Sequence, residues 1–312
     1  MKKLIYPALI FLALLCFAAS SSPGTLDRAL HYIVAAQEEN GAWSRLKGEF
    51  PAEAEPTSWG VKVLSMTGQE AERVAKGVAF LLNDQKPDGS WNNNTAHTAF
   101  ALLALTQAGK GGEAVRKGVT YLKDVQDGEG GFRRIGREGA PLTVYTGVVL
   151  EAFKAAGLPP DDPAVKKAVS WLKSCQNKDG GYGMPKDSPS VAVGTAWTVT
   201  ALRDLGAEPA APEVRRAEEC LLTMKTASGG FAMTPSGPPD PEITAYVIMA
   251  LVRLPGNKAP LAKAIEYLGT VQHEDGSFTS AAPIQFDRRP RKNAQTTMFV
   301  AWALKEAGLR PQ

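Results

Sequence analysis

The sequence predicts an all-α fold: a single α6/α6 toroid in which six helical hairpins form two concentric rings. Three features of the sequence support this prediction. A short motif, a glutamine followed six residues later by an aromatic residue, occurs in six copies along the chain. An amphipathic segment precedes each copy, and an almost wholly apolar segment follows it. Two kinds of helix therefore alternate. Both are accommodated if the six apolar helices form a buried inner ring and the six amphipathic helices pack their apolar faces against it from outside.

The repeated motif fixes where each hairpin turns. In the stretch KGVAFLLNDQKPDGSW, residues 76–91, the motif ends on a tryptophan preceded by a glycine two residues earlier. We expect glycine to permit a left-handed cap at the helix end, and the glutamine to hydrogen-bond chain ends left unsatisfied by the turn. The first column of the motif holds Gln37, Gln85, Gln126, Gln176, Lys225 and Gln272. The second column holds Trp43, Trp91, Phe132, Tyr182, Phe231 and Phe278.

Upstream of each motif, apolar residues recur at steps of four and three, which places them on one face of a helix. These segments are the predicted outer helices. The fifth is the most diverged, because Glu218 interrupts its apolar face and Lys225 replaces the glutamine of the motif. We therefore expect looser packing in that hairpin.

Each motif is followed by a loop and then by a segment that is apolar nearly all round, such as TAHTAFALLALTQAG at 95–109. Such a segment is typical of a helix buried on every side. Most of the loops that lead into these predicted inner helices are long. They would meet at one mouth of the ring, and long loops commonly carry function.

The starts of the inner helices align on a threonine, which we expect to cap the helix. The third position of this alignment is mostly aromatic. If it faces the axis, it forms a ring that lines a central pocket; if it faces a neighbouring helix, it is ordinary core, and the sequence leaves both alternatives open. The aligned threonines are Thr57, Thr95, Thr143, Thr195, Thr244 and Thr296. The candidate substrate-binding residues are Trp59, His97, Tyr145, Trp197, Tyr246 and Met298.

The N-terminus has the layout of a secretory signal peptide, which we assign to residues 1–20, with the toroid at 25–312. Two lysines precede an apolar run at 4–19 that is too short for a stable membrane span. We therefore expect an exported, periplasmic or extracellular protein. A lipid anchor on Cys16 is the less favoured alternative, because Leu15 precedes it. A net charge of +3 does not indicate a nucleic-acid partner.

The stretch at 76–91 resembles the QW motif of squalene and oxidosqualene cyclases, which the β subunits of protein prenyltransferases share in weaker form. The resemblance extends from about residue 25 to 308. It implies the α6/α6 toroid of this superfamily, and it implies a cavity lined by aromatic residues of the inner helices. An isoprenoid-like apolar small molecule is the ligand that such a cavity would take.

Squalene cyclases start their reaction by protonating an alkene from the middle aspartate of a DxDDTA motif at the head of an inner helix. The nearest matches are DPEITA at 240–245 and EAEPTS at 53–58. By this resemblance Glu242 takes the place of the acid and Asp240 that of its partner, and Glu55 and Glu53 correspond in the second match. Neither match has the third carboxylate. A noncatalytic explanation of the same pattern is that the helix dipole favours acidic residues at a helix N-terminus.

Protein prenyltransferases bind zinc through an Asp-x-Cys pair and a later histidine. His97 falls where that histidine would fall, but no Asp-x-Cys heads an inner helix, so we predict no metal and no cofactor. Cys175 and Cys220 are expected to be buried thiols, with one disulfide as the alternative. The loop FDRRPRKNAQ at 286–295 could hold an anion or simply be solvated. Its basic residues are Arg288, Arg289, Arg291 and Lys292.

Three functions follow from these residues. The first is an isoprenoid cyclase or isomerase in which Glu242 protonates the substrate. The second is a noncatalytic toroid that binds an apolar ligand, a peptide or an exported partner protein. The third, a polysaccharide-active toroid, would use paired carboxylates at the mouth. The first two are distinguished by Glu242, which in an enzyme should be buried beside the cavity with Asp240 within hydrogen-bond reach, and which should otherwise be exposed on the rim.

Overall fold

The computed structural model describes residues 24–280 and 291–311. Within these ranges the chain forms twelve α helices and one antiparallel two-stranded ribbon. The helices are α1 (Thr25–Ala36), α2 (Ala54–Thr67), α3 (Ala71–Asp84), α4 (Thr95–Gln107), α5 (Gly112–Val125), α6 (Thr143–Ala155), α7 (Pro163–Ser174), α8 (Ala192–Asp204), α9 (Pro212–Thr223), α10 (Pro241–Leu251), α11 (Lys258–Val271) and α12 (Ala294–Glu306). The ribbon pairs β1 (Phe278–Ser280) with β2 (Arg291–Asn293).

The even-numbered helices form a closed inner ring. Each packs against the next, and α12 packs against α2. Each odd-numbered helix lies outside the inner helix that precedes it in the chain, as α3 does on α2, and α1 covers α12. The inner helices are buried on all sides; every residue of α10, for example, is buried. The predicted α6/α6 toroid is therefore confirmed.

The glutamine column joins the outer helices to one another. In the second copy, Gln85 Nε2 donates to the carbonyl of Gly89 at 3.0 Å and to the carbonyl of Ala114, in the next outer helix, at 2.8 Å. The same pair of bonds recurs at Gln37, Gln126 and Gln176. The last copy closes the ring, because Gln272 Nε2 donates to the carbonyl of Thr25 in α1 at 2.9 Å.

In the fifth copy, where Lys225 replaces the glutamine, the neighbouring Thr226 hydroxyl makes one of the two bonds, donating to the carbonyl of Gly230 at 2.9 Å. Glu218, on the same outer helix, accepts a hydrogen bond from Asn257 Nδ2 at 2.6 Å. The polar side chain on the apolar face of α9 is therefore satisfied, and nothing in these contacts shows the looser packing predicted there.

The corner residues tie each outer helix to an inner one. Trp91 is fully buried, and its backbone N–H donates to Thr98 Oγ1 at 3.1 Å. Gly89 lies at a φ of +88°, and a Cβ there would meet the Lys117 carbonyl oxygen at 2.4 Å, so this turn requires glycine. The left-handed glycine thus stands four residues beyond the C-cap, which is the extended Gln85. The equivalent acceptor threonines are Thr57, Thr98, Thr146, Thr195, Thr244 and Thr297.

These contacts correct the register of the inner helices. The expected caps were wrong, since the side chains that cap helix starts are those of Asn94, Asp240 and Asn293. Thr95 and Thr143 begin their helices and Thr296 is the third residue of α12, whereas the equivalent threonines of the other repeats are fourth residues. The predicted ring is therefore wrong in three repeats, at His97, Tyr145 and Met298. The side chains at one level, all sixth in their helices, are Trp59, Phe100, Val148, Trp197, Tyr246 and Phe299.

Cys175 and Cys220 are free and buried, as expected, and burial raises the pKa of both thiols to about 11. Among the residues that the structure describes, no helix has the length and apolar character needed to cross a membrane. Residues 1–20, with Cys16, lie outside the described ranges.

Candidate functional site

The candidate site lies at the end of the inner ring where the inner helices begin, which we call the mouth. The second residue of each inner helix stands at one level there. Helices α10, α12 and α2 are neighbours and carry Glu242, Gln295 and Glu55 at this level. Helices α4, α6 and α8 carry Ala96, Val144 and Val193 instead. One half of the mouth is therefore polar and the other half is apolar.

Aromatic rings form the floor of the mouth. Tyr246 and Phe299 lie with ring centroids 4.8 Å apart, and Trp59 lies 5.0 Å from Phe299. Phe100 contacts Trp59 at 5.5 Å and Trp197 at 6.2 Å. Most of these contacts join neighbouring helices, but Phe100 of α4 reaches Trp197 of α8 and also lies 6.0 Å from Phe299 of α12, so the aromatic side chains also pack against each other across the axis. They close the ring's centre rather than line an open pocket through it.

Accessible surface is found above this floor. Phe299 keeps 2 % of its surface accessible, so it is the buried part of the floor. Six side chains at the mouth keep slightly more, between 6 % and 8 %. They are Glu55, Phe100, Val144, Val193, Glu242 and Tyr246. A ligand approaching from solvent would therefore meet carboxyl groups, aliphatic groups and aromatic rings together.

Glu242 is buried at the head of α10 and is hydrogen-bonded on both oxygens. Its Oε1 accepts from the Tyr246 hydroxyl and from Gln295 Nε2, each at 2.7 Å, and its Oε2 accepts from Thr296 Oγ1 at 2.8 Å. Burial raises the pKa of this carboxyl, and the charge of Asp240 adds to the rise, although the three donors oppose it. Glu242 is thus a carboxyl group that holds its proton more tightly than an exposed glutamate.

Asp240 caps α10. Its Oδ1 accepts from the backbone N–H of Glu242 at 2.8 Å and of Ile243 at 3.2 Å, and its Oδ2 accepts from Ser280 Oγ at 2.9 Å. The contact with Glu242 therefore runs through the backbone. Asp240 fixes the start of the helix from which Glu242 projects.

Glu55 is the ionised counterpart of Glu242. Its Oε2 forms an ion pair with Arg45 and lies 3.4 Å from His97 Nε2. Burial acts to raise the pKa of Glu55, but the hydrogen bond from His97 and the charge of Arg45 outweigh it and lower this pKa. Glu53 occupies the N-cap position of α2, two residues earlier, and its side chain makes no capping hydrogen bond.

Arg45 and Gln295 connect the two carboxyl groups. Arg45 Nη1 donates to Gln295 Oε1 at 2.8 Å, which turns the amide so that Gln295 Nε2 donates to Glu242 at 2.7 Å. The Arg45 guanidinium also lies 5.5 Å from the centre of the Trp59 ring, within cation–π range. The sequence analysis missed both residues. Aligning the inner helices on the correct threonine would have placed Gln295 in the column of Glu55 and Glu242.

The remaining predicted pocket residues occupy different levels. Trp59, Trp197 and Tyr246 belong to the floor. His97 and Tyr145 are third residues of their helices, about one turn nearer the rim, and His97 Nδ1 is buried without a hydrogen-bond partner among the described residues. Met298 is fully buried.

Of the predicted anion-binding residues, Arg288 and Arg289 lie outside the described residues. Arg291 forms an ion pair with Glu49, and Lys292 Nζ lies 3.1 Å from Asp275 Oδ2. An anion site in this loop stays a prediction. Within residues 24–280 and 291–311, no group of three or more histidine, cysteine, aspartate or glutamate side chains could hold a metal ion.

Two family models match the chain. The squalene-hopene cyclase C-terminal domain matches residues 5–101 and 98–229, which together cover most of the sequence. The prenyltransferase alpha-alpha toroid domain matches residues 186–305. The two matches overlap and extend over all six repeats.

A similar curated protein is the squalene–hopene cyclase of Bradyrhizobium diazoefficiens, which is 29 % identical over 209 residues. The alignment covers 57 % of this chain and 25 % of that enzyme, so the chain spans about a quarter of the relative's length. The probable squalene–hopene cyclase of Sinorhizobium fredii is 34 % identical over 166 residues, covering 49 % of this chain and 19 % of the relative.

Solved structures share the fold over most of the chain. A protein from Actinoplanes superposes with a TM-score of 0.72 at 20 % identity, covering 92 % of this chain and 99 % of that one. The R337A variant of the type II terpene cyclase MstE from Scytonema, in complex with geranylgeranyl dihydroxybenzoate, gives a TM-score of 0.71 at 17 % identity. That alignment covers 91 % of this chain and 96 % of the cyclase. At these identities the likeness concerns the fold.

Proposed function

The chain belongs to the squalene-hopene cyclase C-terminal domain family, within the terpenoid cyclase and protein prenyltransferase superfamily, and on that premise we propose that it binds an isoprenoid at the mouth and protonates it from Glu242. The reaction would be a cyclisation or isomerisation. The observation that supports it most directly is a buried carboxyl group, with a pKa raised by burial, set beside an aromatic floor.

The chemistry needs both parts of that arrangement. Protonating an alkene requires an acid whose charged form is disfavoured, and burial does this for Glu242. The cation that forms then needs a surface that stabilises positive charge without supplying a nucleophile. The faces of Tyr246, Trp197 and Phe299 provide such a surface through cation–π attraction.

The division of the mouth suggests how a substrate would lie. The apolar half, with Val144 and Val193, would contact a prenyl chain, and the carboxyl half would contact the double bond to be protonated. The complex of MstE with a geranylgeranyl compound supports a prenyl chain as the substrate class. Because rings fill the axis, a ligand must lie across the mouth, which favours chains shorter than squalene unless a partner covers the opening.

The test is turnover of geranylgeranyl and squalene substrates by purified protein and by the Glu242→Gln variant. We expect the variant to lose at least about 100-fold in rate, because the amide has no acidic proton. Its thermal midpoint should hold, since the amide oxygen can accept from Tyr246 and Gln295 and the amide nitrogen can donate to Thr296 Oγ1. Wild-type turnover should also fall as pH rises through the raised pKa of Glu242.

Glu218→Gln is the matched control, because this glutamate is partly buried on the outer helix α9, away from the mouth, and is hydrogen-bonded to Asn257. It should keep full turnover. Unchanged turnover in Glu242→Gln would show that Glu242 is not the acid.

A second candidate is a noncatalytic toroid that retains an apolar ligand or docks an exported partner protein. The filled axis favours it, because a cyclase needs room for its folded substrate. Native mass spectrometry on protein from its own compartment separates the two. An apolar molecule recovered unchanged, with no conversion of prenyl substrates, would support the second candidate.

We also propose that the protein is exported and that residues 1–20 are its signal peptide. N-terminal sequencing of the mature protein should then begin close to residue 21. Lipid attached at Cys16 would support the anchored alternative, and an intact N-terminus in the cytoplasmic fraction would contradict export.

A further inference from the structure

We propose that Glu55 is the proton acceptor that ends the reaction at the mouth, and that His97 is the residue that positions it. This inference rests on the proposed function, because it assigns the second half of the same proton transfer. It concerns a carboxyl group that resemblance alone would have assigned as another acid.

Placement is the first support. Glu55 and Glu242 are both second residues of their inner helices, and only α12 separates α2 from α10 in the ring. The two carboxyl groups are joined side to side through Arg45 and Gln295, with contacts of 2.8 and 2.7 Å along the bridge from Arg45 to Glu242. A substrate resting on the aromatic floor would therefore have one carboxyl group on each side of the same polar wall.

The two carboxyl groups differ in how many of their oxygens accept hydrogen bonds. Both oxygens of Glu242 accept hydrogen bonds. In Glu55, Arg45 and His97 both contact Oε2, and Oε1 makes no hydrogen bond to any residue in 24–280 or 291–311. Glu55 thus has one oxygen anchored and one oxygen whose lone pairs are open to a proton.

The charge state supports the same assignment. Arg45 and His97 stabilise the ionised form of Glu55 despite its burial, whereas burial favours the protonated form of Glu242. Two carboxyl groups whose surroundings drive their pKa values in opposite directions are the arrangement expected of an acid and a base in one site. Glu55 cannot serve as the acid, because it has no proton to give.

The proposed steps balance. Glu242 gives its proton to a terminal C=C bond; the π electrons form the new C–H bond and leave a tertiary cation. Electrons of a second C=C bond close the ring. Glu55 Oε1 then removes a proton from the carbon beside the final cation, and that C–H pair becomes a new C=C bond. The product is an isomer of the substrate, and proton exchange with water at the mouth returns both carboxyl groups to their starting states.

The experiment measures the ratio of olefin to alcohol among the products of a geranylgeranyl substrate. Without its acceptor, the cation should be captured by water, so Glu55→Gln should shift the products from olefin toward alcohol by at least tenfold while substrate consumption continues. Glu55→Asp, which keeps the charge but withdraws it by one methylene, should shift the ratio less. It also keeps a partner for Arg45 should the amide variant fold poorly.

His97→Gln tests the positioning role. Loss of the imidazole should move the same ratio in the same direction and raise the pH below which olefin formation declines, because Glu55 loses one stabilising contact. A merely structural histidine would lower the yield without changing the ratio. Glu218→Gln again serves as the control and should reproduce the wild-type products.

The outcomes separate the two proposals. No turnover by the wild-type protein, or full turnover by Glu242→Gln, overturns the proposed function and this inference with it. Turnover that depends on Glu242, together with an unchanged olefin-to-alcohol ratio in both Glu55→Gln and Glu55→Asp, overturns the inference alone.

Discussion

At both ends of the inner ring, carboxyl groups and an arginine lie together, yet they are paired differently. At the mouth, the buried Glu242 accepts from neutral hydrogen-bond donors, and Arg45 forms its ion pair with Glu55. At the opposite end, where the inner helices finish, Arg253 binds Asp204 with two nitrogens, at 2.9 Å each, and also pairs with Glu306. At the mouth the guanidinium binds one carboxylate and the other carboxyl group has neutral donors, whereas at the opposite end one guanidinium binds two carboxylates.

The opposite end continues as a connected network. Trp302 Nε1 donates to Glu306 Oε1 at 2.7 Å, and Lys154 Nζ lies 3.3 Å from Asp204. Helices α6, α8, α10 and α12 therefore meet through one set of ion pairs near their C-terminal ends. Such a network holds helix ends together, whereas the mouth is the end to which we assign the proposed function.

The largest expected effect comes from breaking the paired end. Arg253→Met leaves Asp204 and Glu306 without their shared partner in a site where all three side chains are less than one-fifth exposed. We expect the free energy of unfolding to fall by about 3 kcal/mol. Urea denaturation followed by circular dichroism measures this change.

Lys76→Met is the control for that variant, because Lys76 pairs with Glu72 on the surface of α3, at 55 % and 83 % exposure. It should cost less than about 0.5 kcal/mol. Equal losses in the two variants would mean that the network adds no more than a surface ion pair.

A pH effect should distinguish Glu151, on α6, from exposed glutamates. Burial and the neighbouring Asp204 carboxylate raise the pKa of Glu151 to about 8. The folded protein keeps this proton at pH 7, whereas the unfolded chain releases it near an ordinary glutamate pKa. Stability should therefore fall as pH rises from about 5 to about 8, by up to about 1.4 kcal/mol per pH unit, and then level off.

Denaturation midpoints at pH 5, 7 and 9 test this for the wild-type protein and for Glu151→Gln. The variant should show a flatter profile, because its amide does not titrate. Glu242→Gln should also flatten the profile, since the pKa of Glu242 is raised in the same direction. Identical profiles in wild type and Glu151→Gln would show that Glu151 does not retain its proton.

The smallest effect is expected at Lys62, whose ammonium lies 4.5 Å from the centre of the Trp302 ring. Burial lowers the pKa of Lys62, although the carboxylate of Glu306 opposes this. Lys62→Met removes a charge that the fold disfavours and keeps the apolar stem, so stability should change by less than about 1 kcal/mol, with a gain expected. A loss above about 2 kcal/mol would place Lys62 inside the ion-pair network.

The fold could be predicted from the sequence because its determinants are local. Gln85 and Trp91 lie six residues apart. The apolar stripe of the preceding helix is a pattern of steps of four and three residues just upstream of them. Six copies then fix the number of hairpins. The exact turn chemistry was less accessible, since the left-handed residue is Gly89, which lies in the turn beyond the C-cap Gln85 rather than at the helix end.

The site could be predicted only in part. Glu242 and Glu55 stand at helix starts and are visible in sequence, as is the aromatic character of the floor. The register failed where the chain offers two threonines, as at Thr95 and Thr98, because threonine spacing alone does not say which one binds the corner. Arg45 and Gln295 are 250 residues apart, and only ring closure brings them together.

The hydrogen bond from Gln272 to the carbonyl of Thr25 joins α11 to α1, so the last outer helix is followed in the ring by the first. In an open stack of repeats the first and last units each expose a face that must be capped, and copies can be gained or lost with modest penalty. Here no repeat is terminal, so evolution cannot lengthen or shorten the array one unit at a time. Divergence must instead proceed within a fixed count of six, through the loops and through single positions such as Lys225.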